Sequence, residues 1–120
     1  LQVVNENQVP LVVNNTSGSN DLVGGYLNGS NTNIAYIHCL QFGDGILQSN
    51  GRRALQIFLR DANQNSVGLV LDLRNNPGGL ATSFTTLQSF FLNAENHWGY
   101  TLVRLGNNST DLSPPMKEVV

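Results

Sequence analysis

Gly68-Leu69-Val70-Leu71-Asp72-Leu73-Arg74-Asn75-Asn76-Pro77-Gly78-Gly79-Leu80 carries two structural signals in thirteen residues. Its first half, with Val67 in front, is an apolar run of the kind shown by a strand buried on both faces. Its second half is a cluster of turn-forming residues. Leu80, Phe84, Leu87 and Phe91 then recur at helical spacing, so a helix should follow over residues 80–92. A buried strand is therefore expected to run into a tight glycine turn at a helix start. Such a turn can aim backbone N–H groups at an anion, because a helix N-terminus has unsatisfied donors and a positive dipole end. Gly78 and Gly79 can take positive φ and let a ligand approach the backbone.

Upstream, residues 34–40 form a second apolar run, broken by Gly43-Asp44-Gly45. A helix is expected over 49–62, with Ala54, Leu55, Phe58, Leu59 and Ala62 as its apolar stripe and Ser49 or Asn50 as N-cap. Strand, helix and strand at this spacing make a βαβ unit with parallel strands and a right-handed crossover. Residues 100–105 alternate and read as a third parallel strand. Residues 1–4 and 9–13 are short β-type runs, and the Asn-, Gly- and Ser-rich stretch 14–33 reads as a long loop.

Hydrophobic residues make up 40% of the 120, but charged residues only 12%, about half the usual quarter. Polarity comes instead from Asn, Gln, Ser, Thr and Gly, which is not how a typical cytosolic surface is built. An extracytoplasmic or secreted location is expected on that ground. A net charge of -2 with six scattered basic residues argues against a nucleic-acid partner. No run of about 18 apolar residues predicts a membrane span, and no charged n-region before an apolar stretch marks a signal peptide. Asn14, Asn15, Asn28, Asn107 and Asn108 carry the Asn-x-Ser/Thr acceptor pattern, all in expected loops. Cys39 is the single cysteine and reads as a small buried hydrophobe. His38 beside it points to the opposite strand face. His38 and His97 lack ligand spacing, so neither metal nor cofactor is expected.

The string Leu71-Asp72-Leu73-Arg74-Asn75-Asn76-Pro77-Gly78-Gly79 resembles the signature of the carboxy-terminal processing, or tail-specific, proteases. Ile34-Ala35-Tyr36-Ile37 with Gln41-Phe42 resembles that family's preceding strand and loop, and Ser89-Phe90-Phe91-Leu92 the end of its next helix. The likeness covers residues 33–105. It implies a serine peptidase with a Ser–Lys dyad on a crotonase-like α/β core, here with parallel βαβαβ units. Residues 1–32 would then be inter-domain strands and a loop, and 33–120 the N-terminal half of the catalytic domain. The resemblance assigns a backbone oxyanion donor to Gly78 or Gly79 without choosing between them. It implies unfolded protein or peptide as substrate.

The family's Ser-Ala-Ser-type and Gly-Lys-Gly-type motifs are not in this sequence, and Lys117 is its only lysine. The chain is accordingly expected to carry the oxyanion turn without the dyad, and to be inactive alone. Asp72 and Arg74 alternate around Leu73, so an ion pair or hydrogen bonds locking the turn are expected of them. Two other readings stand beside the peptidase: a non-catalytic binding module on the same fold, as in related retinoid-binding repeats, and a crotonase-class hydratase or isomerase.

Overall fold

A computed structural model describes residues 10–28, 33–92, 97–101 and 116–119, the last two segments as backbone. Contacts divide the chain into two units, residues 1–84 and 85–120.

The first unit holds four strands: β1 (Leu11–Asn14), β2 (Asn20–Asn28), β3 (Asn33–Cys39) and β4 (Gly68–Asp72). They form one sheet in the order β1-β2-β3-β4. β1 and β2 pair antiparallel, β2 and β3 antiparallel, and β3 and β4 parallel. The helix α1 (Ser49–Asn65) makes the crossover between the parallel pair, as the βαβ reading requires.

α1 covers one face of this sheet. Its buried residues Gly51, Leu55, Phe58 and Ala62 recur at helical spacing. They meet a strand face on which Leu11, Val13, Leu22, Tyr26, Ala35, Ile37 and Cys39 are buried. Registers Val13↔Leu22, Leu22↔Cys39, Gly24↔Ile37 and Tyr26↔Ala35 put these residues on the same side. Full burial of a side chain such as Leu55 or Phe58 contributes about 1.5–3 kcal/mol. The Tyr26 and Phe58 rings lie 5.4 Å apart, and the Tyr26 hydroxyl donates to Asp61 on α1. Burial, then that hydrogen bond, push the phenol well above its ordinary pKa.

Four sequence expectations are corrected. The stretch 14–33 is not a long loop, because residues 20–28 form β2, paired along both edges. Gly24 belongs to the strand: a Cβ there would lie 2.8 Å from the Tyr36 carbonyl oxygen and 3.1 Å from Leu11 Cβ, so close strand approach requires glycine. β4 is not buried on both faces. Val70, paired with Tyr36 on the face away from α1, is 43% exposed, and Val67 and Leu73, just outside the strand's two ends, are 73% and 46% exposed. The third strand is not a parallel member of this sheet: β5 (His97–Thr101) pairs antiparallel with β6 (Met116–Val119) in a separate two-stranded sheet. Finally, α1 is preceded by a short 3-10 helix, Asp44–Leu47, and Gln48 rather than Ser49 or Asn50 occupies its N-cap, without a side-chain cap bond.

The second expected helix is α2 (Ala81–Ser89), followed by a turn. The fold is thus mixed α/β. The run 1–4, residues 102–105 and the acceptor pattern at Asn107/Asn108 lie outside the described residues.

Candidate active-site turn

β4 ends at Asp72, and the chain reverses through Arg74 and Asn75, the latter at φ 62°. The Asn76 N–H donates to the Leu73 carbonyl at 3.2 Å. Gly78 and Gly79 follow at φ 104° and 146°. Both values lie where L side chains are strained, which is why two glycines stand here. A parallel bridge then joins this turn to the segment after β3: the Phe42 N–H donates to the Gly78 carbonyl at 2.9 Å, and the Leu80 N–H to the Phe42 carbonyl at 2.8 Å. The approach is so close that a Cβ on Gly79 would overlap the Phe42 carbonyl oxygen, while one on Gly78 would meet open space. The Phe42 ring meets Phe84 edge-on at 5.1 Å. The fully buried Ser83 hydroxyl donates to the Gly43 carbonyl at 2.6 Å.

The two glycine N–H groups differ. That of Gly78 donates to the Asn76 side-chain oxygen at 2.8 Å. That of Gly79 has no acceptor among the described residues, and Gly79 is exposed.

Asp72 and Arg74 support the start of the turn. The Asp72 carboxylate accepts the Arg74 backbone N–H at 2.9 Å, the guanidinium through Nε at 3.1 and 3.2 Å and through one Nη at 2.9 Å, and the Tyr36 hydroxyl. Hydrogen bonds from Arg74 first, and then Tyr36, hold the carboxyl well below the usual carboxylate range. The same contacts raise the Arg74 and Tyr36 pKa values. Tyr36, Val70, Leu71, Asp72, Leu73 and Arg74 line an open depression of about 440 Å³ at this end of β4. His38, paired in register with Asp72, places Nε2 3.3 Å from the Arg74 carbonyl oxygen. Cys39 is buried, and desolvation followed by the Asp21 charge pushes its thiol up to about 11, so it has little thiolate character at neutral pH. No cluster of metal-ligating side chains occurs among the described residues.

The model of Peptidase family S41 matches residues 33–117. The chain belongs to peptidase family S41. The matched region runs from the start of β3 into β6 and takes in the whole glycine turn. Membership bears out the likeness to carboxy-terminal processing proteases at the level of family, and makes this a peptidase-type chain. A search of curated proteins gave no match. No helix among the described residues is long and apolar enough to cross a membrane.

One residue of the S41 turn was not singled out in the sequence. Asn76 donates from Nδ2 to the Cys39 carbonyl at 3.0 Å, with Cys39 Sγ at 3.3 Å, while its oxygen holds the Gly78 N–H. An Asn between an Asn and a Pro reads as a generic turn former. Only the parallel placement of β3 beside β4 brings Cys39 within its reach.

Proposed function

We propose that this chain is the oxyanion-binding part of a tail-specific serine endopeptidase, acting on unfolded protein or peptide, with the crotonase-like core that the resemblance implies. The S41 match across the glycine turn is the observation that carries this reading. In the proposed reaction a serine hydroxyl attacks the scissile carbonyl, and a desolvated lysine amine of lowered pKa takes its proton. Backbone N–H groups hold the tetrahedral oxyanion. The pair Gly78–Gly79 supplies one donor. Gly79 is the better choice, since its N–H is not spent within the turn. Asp72, held by Arg74 and Tyr36, fixes the point where β4 hands the chain to that turn.

The dyad is assigned to residues outside these 120. Ser83 is fully buried and committed to the Gly43 carbonyl, so it is no nucleophile. The charge-poor composition supports work outside the cytoplasm.

The test has two arms. Incubated alone with unfolded casein, the 120-residue chain should show no turnover above buffer. A longer protein continuing into a Ser-x-Ser motif and a lysine should hydrolyse casein and be labelled by a serine-directed fluorophosphonate. In it, replacing the Gly79 amide by an ester removes the N–H without adding an atom, and should lower kcat about 100- to 1,000-fold. Turnover by the short chain, or full activity of the ester variant, refutes the proposal. A longer protein without serine labelling would instead be the binding module.

A further inference from the structure

We infer that Asn76 is a positioning residue that selects which glycine N–H the turn presents: its carboxamide takes up the Gly78 N–H, ties the turn to the end of β3, and leaves the Gly79 N–H as the donor. The inference rests on the oxyanion reading above and adds to it the residue that enforces the choice.

An asparagine side chain has an acceptor oxygen at one corner and two N–H donors at the other. Here both corners are engaged. The oxygen accepts from Gly78 at 2.8 Å, and the nitrogen donates to the carbonyl of Cys39, the last residue of β3, at 3.0 Å. Displacing the turn from β3 therefore breaks two hydrogen bonds at once.

The next peptide unit is fixed from the other side. The Gly78 carbonyl accepts the Phe42 N–H at 2.9 Å. No peptide bond here is cis, and in a planar trans unit C=O and N–H point in opposite directions. The Gly79 N–H must therefore point away from Phe42, out of the turn. Asn76 fixes the peptide before Gly78, Phe42 fixes the peptide after it, and the direction of the one unspent N–H follows. A donor held in place before reaction needs no reorganisation when charge develops.

The residue type is specific. Aspartate could accept from Gly78, but it has no donor for the Cys39 carbonyl and would set a negative charge against it. Alanine would leave both the Gly78 N–H and the Cys39 carbonyl without this partner.

Amide hydrogen exchange of this chain, read by NMR, tests the geometry without reference to activity. The Gly78 N–H should exchange about tenfold more slowly than that of Gly79, and Asn76→Ala should abolish the difference. In the longer, active protein Asn76→Ala should lower kcat about 10- to 100-fold with KM nearly unchanged. If Asn76→Ala does not fold, Asn76→Asp carries the test. It should keep Gly78 slow while kcat still falls, because the tie to Cys39 is lost. Equal exchange of the two glycines in the unaltered chain overturns the inference, as does unchanged kcat in a folded variant. Failure of the oxyanion reading is separable: the Gly79 ester would then keep full activity while the exchange pattern stood.

Discussion

Asp21 and Asp72 are both nearly buried carboxylates at places where the sheet meets a loop, and each accepts one backbone N–H, yet only Asp72 is paired with a cation. Asp21, 2% exposed, accepts the Gly45 N–H at 2.9 Å and the Asn15 side-chain amide at 2.8 Å, and no cation pairs with it among the described residues. The loop around it is closed by packing: a Cβ on Gly45 would lie 2.6 Å from the Asn14 carbonyl oxygen and 2.8 Å from Asp21 itself. Asp72 is held by charge and by a phenol, and its principal partner, Arg74, is 83% exposed. The first arrangement spends one backbone N–H and one side-chain amide on a sealed loop. The second anchors a turn with the guanidinium, a phenol and the Arg74 N–H, and leaves the Gly79 N–H beyond it unspent. Packed closure suits stability; anchoring by an exposed cation suits a turn that must offer an N–H to a ligand.

Four substitutions would break or sharpen that contrast. The largest loss is expected from Gly51→Ala, whose Cβ would overlap the Gly45 carbonyl oxygen and lie 3.1 Å from Val13 Cγ1. About 3 kcal/mol or more should be missing from a urea unfolding curve. Asp21→Ala comes next, at about 2–3 kcal/mol by the same measurement, because it orphans the Gly45 N–H and the Asn15 amide. Gly78→Ala should cost only about 1 kcal/mol, since the new methyl meets open space and only the positive φ resists it. A Gly78→Ala loss as large as that of Gly51→Ala would erase the distinction between sealed and open loops.

Asp72→Asn should have the smallest effect at neutral pH, because an exposed guanidinium contributes little net to an ion pair. Its signature is the pH dependence. The folded-state pKa of Asp72 is depressed, so its contribution is fully present above the unfolded value of about 4 and is lost as pH falls toward the lower folded value. Denaturation curves between about pH 5 and pH 2 should therefore fall less steeply for Asp72→Asn than for the parent chain. Parallel slopes would show that the carboxylate is not held as described.

The sequence made the parallel βαβ unit legible because its signals were redundant. Two apolar runs flanked a helix whose stripe of Leu55, Phe58 and Ala62 matched its buried face. β2 was hidden because its glycines and asparagines carry turn propensity, and strand pairing on both edges overrides it. The exposure of β4 was illegible for a different reason: an apolar run reports what a strand can bury, not how many neighbours it has. At the site, Asp72 and Arg74 were legible as a local pair two residues apart. The Tyr36 hydroxyl and the tie from Asn76 to Cys39 join residues 36 and 37 positions apart, and no local pattern encodes them.

β4 also has a bearing on how the molecule behaves in bulk. It pairs with β3 along one side, and no strand among the described residues lies along the other, while Val70 within it and Val67 and Leu73 beside its ends are exposed. Such an edge is a template for another extended segment, and neither proline nor lysine interrupts residues 67–73 to discourage one. With a net charge of only -2, repulsion between copies is weak. Colloidal behaviour, more than folding free energy, should therefore set the concentration at which these 120 residues stay monodisperse, and a single lysine in place of Val70 should raise that ceiling.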